Sequence, residues 1–151
     1  MQETVTPSVA PRRPGPDRPV FGLILVGSLD EPERAGEIAL LPSAASILGR
    51  AASAPGERVP HVELVRQRPG RNEPTGPLRT PTLSREQLRL EPDGERLIVH
   101  NVGRASMRVG GRAADTIEAS EGTVIELDDV AALLVVRRPP VLPGDPPVFP
   151  F

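Results

Sequence analysis

Apolar and polar residues alternate in short runs between residues 20 and 136. "VFGLILVG" (20–27) reads as a buried strand, and "GEIALLP" (36–42) as a second that Pro42 ends. "SILGR" (46–50) is a third, and "HVELV" (61–65) alternates over one short stretch. From Leu88 the pattern sharpens. Leu88 and Leu90 alternate with Arg89, "EPDGE" turns the chain at Asp93-Gly94, and "RLIVHN" (96–101) returns. "SMRV" (106–109) runs into Gly110-Gly111, while "TVIEL" (123–127) and "AALLVV" (131–136) flank Asp128-Asp129. Asp-Gly and Gly-Gly pairs accept the positive φ that tight hairpins require. Runs of this length and spacing, with no sustained helical period, predict an all-β, two-sheet β-sandwich of about ten or eleven strands.

Two kinds of segment interrupt the pattern. Residues 53–81 are polar and rich in Pro and Gly, and read as a long charged loop. Arg66, Arg68 and Arg71 lie in it, either as solvated charges or as part of a binding rim. Residues 1–19 hold five prolines and little to bury, which predicts a disordered leader. Residues 139–151 predict a second Pro-rich segment, a stiff extended linker, and leave 20–138 as the folded unit. The chain shows no internal repeat.

Composition narrows the chemistry. Phe21, Phe149 and Phe151 are the only aromatic residues among 151, so the core must be built from Leu, Ile, Val and Ala. Twenty prolines disfavour long helices. Cysteine is absent, which removes disulfides, thiolate catalysis and Cys-ligated zinc. All 18 cations are Arg, which excludes a GxxxxGK phosphate loop and Schiff-base chemistry. A net charge of −2 lacks the basic excess of a nucleic-acid binder. "FGLILVGSL" is too short to span a bilayer, so a cytoplasmic protein is the expectation.

The remaining polar residues have structural explanations. His61 is expected to be solvated in the long loop, and His100 to lie at the surface or half-buried at a strand end. They lack helical ligand spacing and a third ligand, so no metal is expected. Asp128-Asp129 suits a turn between strands. The doublets Arg12-Arg13 and Arg137-Arg138 read as solvating charges. No nucleophile has a visible base partner, so neither catalysis nor a cofactor is expected.

"TLSREQL" (82–88) poses the sharpest question. Ser84 with Gln87 three residues on is a capping-box pattern that would launch a helix. Pro92 would stop that helix within two turns, and Leu88 and Leu90, two apart, share one face of a strand. The spacing therefore predicts a strand, with Ser84 on a loop at its mouth.

"LGR" (48–50), "LSREQL" (83–88) and "NVGRASMRVGG" (101–111) follow one another in the order of a known pattern. That pattern is a Gly-Arg pair, then Ser-Arg-x-His, then an Asn-rich turn ending in Asn-Gly. Over roughly 20–138 the chain resembles a forkhead-associated (FHA) domain, an FHA/SMAD-like sandwich that reads phosphothreonine. The resemblance implies a phosphothreonine-containing protein or peptide as partner. It implies Arg50 as the planar fork for phosphate, Ser84 as a hydroxyl donor and Arg85 as a further charge. Ala105 and Ser106 fall at the turn that holds the peptide backbone. The family's His falls on Gln87, its Asn on Ala105-Ser106 and its final Asn-Gly on Gly110-Gly111, and the gap from Arg50 to Ser84 is longer than usual.

The variant "N-x-G-R" (101–104) and the Pro-rich end are similar to the N-terminal FHA domains of sigma-54-dependent transcriptional regulators. This resemblance implies a signalling role, with an ATPase and a DNA-binding helix-turn-helix following. It implies no nucleic-acid or membrane contact from this segment, and it is compatible with a homodimer. The alternative is a degenerate sandwich that serves only as a phosphate-independent dimerisation or docking domain.

Overall fold

A computed structural model describes residues 19–139; the greater part of both Pro-rich ends, expected as leader and linker, lies outside the described residues. Twelve strands form two antiparallel sheets. They are β1 (Val20–Ser28), β2 (Ile38–Leu40), β3 (Ser46–Leu48), β4 (Leu64–Arg68), β5 (Arg71–Gly76) and β6 (Leu88–Asp93). Then follow β7 (Arg96–Asn101), β8 (Met107–Val109), β9 (Arg112–Ala113), β10 (Thr116–Ala119), β11 (Val124–Leu127) and β12 (Ala131–Arg138). The larger sheet has the order β5-β4-β2-β1-β12-β11-β8-β9, and the smaller β10-β7-β6-β3. The expected all-β sandwich is the observed fold.

The alternation read from the sequence becomes the core. Phe21, Leu23 and Leu25 of β1 are buried, as are Leu133 and Val135 of β12 and Ile125 and Leu127 of β11. They form one cluster with Leu88 and Leu90 of β6, Leu97 and Val99 of β7, and Leu48 of β3. Period-two burial on both inner faces is what two packed sheets require. Phe21, the one aromatic among the described residues, also lies 4.6 Å under the Arg137 guanidinium. This cation–π contact corrects the reading of Arg137 as a merely solvating charge. Pro92 sits in β6 without breaking the sheet, because β3 pairs with β6 only from Leu88 to Leu90. Its missing N–H therefore faces no ladder partner.

The region expected to be a long loop contains a hairpin. β4 and β5 pair from Leu64 through Gly76, turning at Pro69-Gly70. Its strands are polar because β5 is a sheet edge. Pairing comes from the backbone, so side-chain hydrophobicity gives no signal. Arg68 and Arg71 pair with Glu73, and Arg66 reaches Glu37 at 2.9 Å. The two short strands β9 and β10 also lack a sequence signal beyond Ile117. The hairpin at Asp93 turns through Gly94-Glu95, one residue later than expected. Asp128 does form the expected turn, with φ of 48°.

A 3-10 turn, Pro32–Arg34, is pinned by a buried ion cluster. Arg34 is 4% exposed and donates to Glu37 (2.8 Å), Glu31 (3.0 Å), Thr75 Oγ1 (3.0 Å) and the carbonyls of Pro77 and Gly76 (both 2.8 Å). Glu37 is 1% exposed and accepts from Arg34, Arg66 and Thr75. Burial alone would raise its pKa, but hydrogen bonds from Thr75 and the Arg34 charge outweigh it and hold the carboxyl below its usual range. Glu37→Gln is expected to destabilise the fold by about 3 kcal/mol at neutral pH in chemical denaturation, because buried Arg34 loses its more buried carboxylate and keeps only Glu31. A depressed folded pKa stabilises above the unfolded value, about 4.3, and this contribution is lost as pH falls through the folded value. The gap between wild type and variant should therefore begin to narrow as pH falls below about 4.3 and close below the folded value.

Candidate functional site

Three connections meet at one end of the sandwich: the start of the β3–β4 connection, the β5–β6 connection and the β7–β8 connection. Ser84 launches no helix; residues 81–87 are turn and bend before β6. Half of the capping-box exchange survives, since the Ser84 N–H donates to Gln87 Oε1 at 2.9 Å. The other half is replaced, and the Gln87 N–H donates to the Leu48 carbonyl at 3.0 Å.

Gln87 holds the three connections together. It is 1% exposed. Its Nε2 donates to Asn101 Oδ1 at 2.7 Å and to the Ala105 carbonyl at 3.0 Å. Its backbone carbonyl accepts from Val102 and Gly103 at 3.0 and 3.1 Å. Asn101 Nδ2 donates to the same Ala105 carbonyl at 2.8 Å. Two glycines permit this close packing. A Cβ on Gly49 would lie 2.2 Å from the Arg85 carbonyl oxygen, and one on Gly103 2.4 Å from Gln87 Oε1.

On this frame the structure brings Arg50, Ser84 and Arg85 to one rim. The Arg50 N–H donates to the Ser84 carbonyl at 3.1 Å, and its Nε to the Leu83 carbonyl at 2.6 Å. The two terminal nitrogens of Arg50 have no acceptor among the described residues. Ser84 Oγ accepts the Arg104 N–H at 2.8 Å, so its own proton points elsewhere and remains available to donate. Arg85 is exposed. No ion pair among the described residues engages Arg50, Arg85 or Arg104.

The turn at 101–106 corrects one expectation. Ala105 is 1% exposed and packs in the core, so its side chain cannot touch a peptide; its backbone serves Gln87 and Asn101 instead. Ser106 is exposed, with its N–H held by Asp128 Oδ1 at 2.9 Å. Arg104 was missed as a candidate in its own right. Its guanidinium is anchored on the Pro81 and Thr82 carbonyls at 2.7 and 3.2 Å, which fixes a third cation at this end. The "N-x-G-R" string carried that residue, but nothing in it indicated that the side chain folds back onto the Ser84 segment. His61 is buried, at 7% exposure, against the expectation of a solvated loop residue. His100 is half-buried as expected, between Glu91 and Thr116.

Gly49→Ala is expected to cost about 2 kcal/mol in denaturant titration, since the new methyl meets backbone rather than a mobile side chain. Gln87→Leu should cost a similar amount, about 2 kcal/mol, by leaving buried polar groups unpaired. In the Gln87 variant the Ser84 amide should lose hydrogen-exchange protection while the β1–β12 amides keep theirs.

No family model matches the chain, and no curated protein matches it. Solved structures do. The FhaA FHA domain, complexed with the intracellular domain of Rv3910, aligns with a TM-score of 0.52 at 18% identity, over 76% of this chain and 98% of that one. A domain from work on phosphothreonine-dependent FHA domain interactions aligns at 0.54 and 17% identity, over 80% and 98%. The FHA domain of CT664 from Chlamydia trachomatis aligns at 0.52 and 15% identity, over 78% and 96%. At these identities the likeness establishes architecture: the chain has the fold of a forkhead-associated domain.

Proposed function

We propose that this rim binds a phosphothreonine in a partner protein. The observation that carries the reading is the state of Arg50. Its Nε is fixed by a carbonyl while its terminal nitrogens have no acceptor among the described residues, beside a Ser84 hydroxyl with a proton to give. A phosphothreonine brings close to two negative charges and three acceptor oxygens. A planar guanidinium meets such a group with parallel hydrogen bonds that a point cation cannot make. Arg50 supplies that fork, Ser84 donates to a further oxygen, and Arg85 and Arg104 add charge. In this reading Ser106, exposed in the turn that carries Arg104, holds peptide backbone where the family uses Asn. The reaction is binding, with no catalytic step.

The wider context follows from the resemblance of "N-x-G-R" and the Pro-rich end to sigma-54-dependent regulators. In this reading, residues 20–138 are the N-terminal sensory module of a cytoplasmic transcriptional regulator, tethered through 139–151 to an ATPase and a DNA-binding domain. Among the described residues no helix is long and apolar enough to cross a membrane. The surrounding open reading frame tests this context directly. A frame without an ATPase removes the regulator assignment and leaves the rim untouched.

One observation favours a phosphate-independent docking role as the second reading. Val26 and Leu29 are 51% and 72% exposed and border one shallow cleft with Pro32 and Val130. Calorimetry with a phosphothreonine peptide library and unphosphorylated controls separates the two. The phosphate reading expects binding only to phosphorylated peptides, with Arg50→Ala weakening it about thirtyfold, or 2 kcal/mol, and Ser84→Ala doing so by a smaller factor. Equal binding of both peptide forms, or an Arg50→Ala variant with native affinity, supports the docking role instead.

A further inference from the structure

The buried His61 ring is held between a backbone carbonyl and two carboxylates. The ring is almost enclosed, its side chain 3% exposed. Nδ1 lies 2.9 Å from the Ala51 carbonyl. A carbonyl oxygen only accepts, so Nδ1 carries the N–H. Nε2 is then the ring atom that faces the two carboxylates. Glu57 Oε2 is 3.1 Å from Nε2, and Glu86 Oε2 is 3.8 Å away. Three electron-rich atoms thus converge, all within 4.8 Å of one another. A proton on Nε2 or a metal ion can bridge such a trio.

The surroundings favour a metal ion in that role. A ring whose second nitrogen is held by a carbonyl is the arrangement that orients metal-bound histidines. Metal–ligand bonds of about 2.0–2.1 Å place tetrahedral ligand atoms about 3.3 Å apart. Nε2 lies 3.1 and 3.8 Å from the two carboxylate oxygens, and the Glu side chains, 31% and 57% exposed, have room to turn towards that spacing. The supporting shell is already built. Ser53 Oγ accepts the His61 N–H at 2.7 Å and donates to the His61 carbonyl at 3.3 Å. Glu57 Oε1 is taken by the Ala54 N–H, which leaves Oε2 for the ring. Spacing along the chain hid the cluster. Glu57 and His61 are four apart, but on an irregular segment rather than a helix, and Glu86 arrives from the loop before β6.

We propose that Glu57, His61 and Glu86 form a site for a divalent transition-metal ion of the zinc type, with a fourth position open to water. One imidazole and two carboxylates are a borderline-to-hard set, suited to zinc and its first-row neighbours. Arg58 and Arg89 line the cleft that Glu57 and Glu86 border, and their charges favour water or an anion at the open position. The ion would join the segment after Arg50 to the segment that carries Ser84 and Arg85. The site does not depend on the phosphopeptide reading, since none of its ligands belongs to that rim.

The test uses the full chain, freed of metal with chelator and titrated with zinc by calorimetry, with cobalt(II) absorption as a second probe. One equivalent should bind per chain. His61→Asn, Glu57→Gln and Glu86→Gln should each weaken binding at least about tenfold, whereas His100→Asn should leave it unchanged. Glu86→Gln is the decisive variant, because its half-exposed side chain can lose a charge while the fold, monitored by thermal unfolding, persists. The proposal is overturned if zinc does not saturate the chain at millimolar concentration. It is equally overturned if Glu86→Gln binds like the native protein, or if the His61 ring is doubly protonated at neutral pH and its resonances do not move with zinc.

Discussion

A primary amide offers two donors and two lone-pair acceptors in one plane, and the Gln87 side chain uses both ends inside the protein. Nε2 spans Asn101 and the Ala105 carbonyl, and Oε1 takes the Ser84 N–H. Everything proposed for the rim depends on this brace. Without it, only the hydrogen bonds of Arg104 to Pro81, Thr82 and Ser84 would tie the segment bearing Ser84 to the turn bearing Arg104. The FHA-like pattern places histidine here, and the amide can satisfy the same neighbours because it has at least as many hydrogen-bonding positions. Unlike an imidazole, it acquires no charge in mild acid, so the brace keeps its bonding pattern where a histidine would change state.

The distribution of ion pairs separates scaffold from site. Arg34, Arg66, Arg68, Arg71, Arg89, Arg96 and Arg108 each meet a carboxylate. Asp129, with its hydrogen bond to Arg108 acting first, holds that guanidinium's pKa above its usual value. Arg50 and Arg104 instead rest on backbone carbonyls, which orient a guanidinium without cancelling its charge. In a molecule with a net charge of −2, Arg50 and Arg104 thus stay free of ion pairs among the described residues. The effect comes from where carboxylates are withheld, not from an excess of arginine.

The legible parts of the sequence were those where side chains carry the structural information. β1, β6, β7, β11 and β12 alternate because their inner faces build the core, and period two is what that burial looks like in sequence. The β4–β5 hairpin was not legible, since an edge held by backbone pairing leaves its side chains free to be polar. The convergence of Arg50 with Ser84 was readable only through the family resemblance, because no local rule links residues so far apart. Ala105 shows the limit of that route. A motif position transfers a location in the turn, but the residue found there points into the core. His61 failed for the opposite reason, as its neighbours come from two separate loops that only the fold unites.

The sheet edges have a consequence for how this molecule meets others. β5 carries Pro74 and charged residues, β9 has two residues, and β10 has four. The outer side of β3 is covered, with Ile47 bonded to Pro60 and Val62. Unpaired strand edges are templates for strand addition, and short, charged or shielded ones are not. The described sandwich therefore offers no rail along which a second copy could extend either sheet, and runaway stacking is disfavoured by construction. Among the described residues, this leaves the sheet faces and the loop ends as the surfaces for self-association.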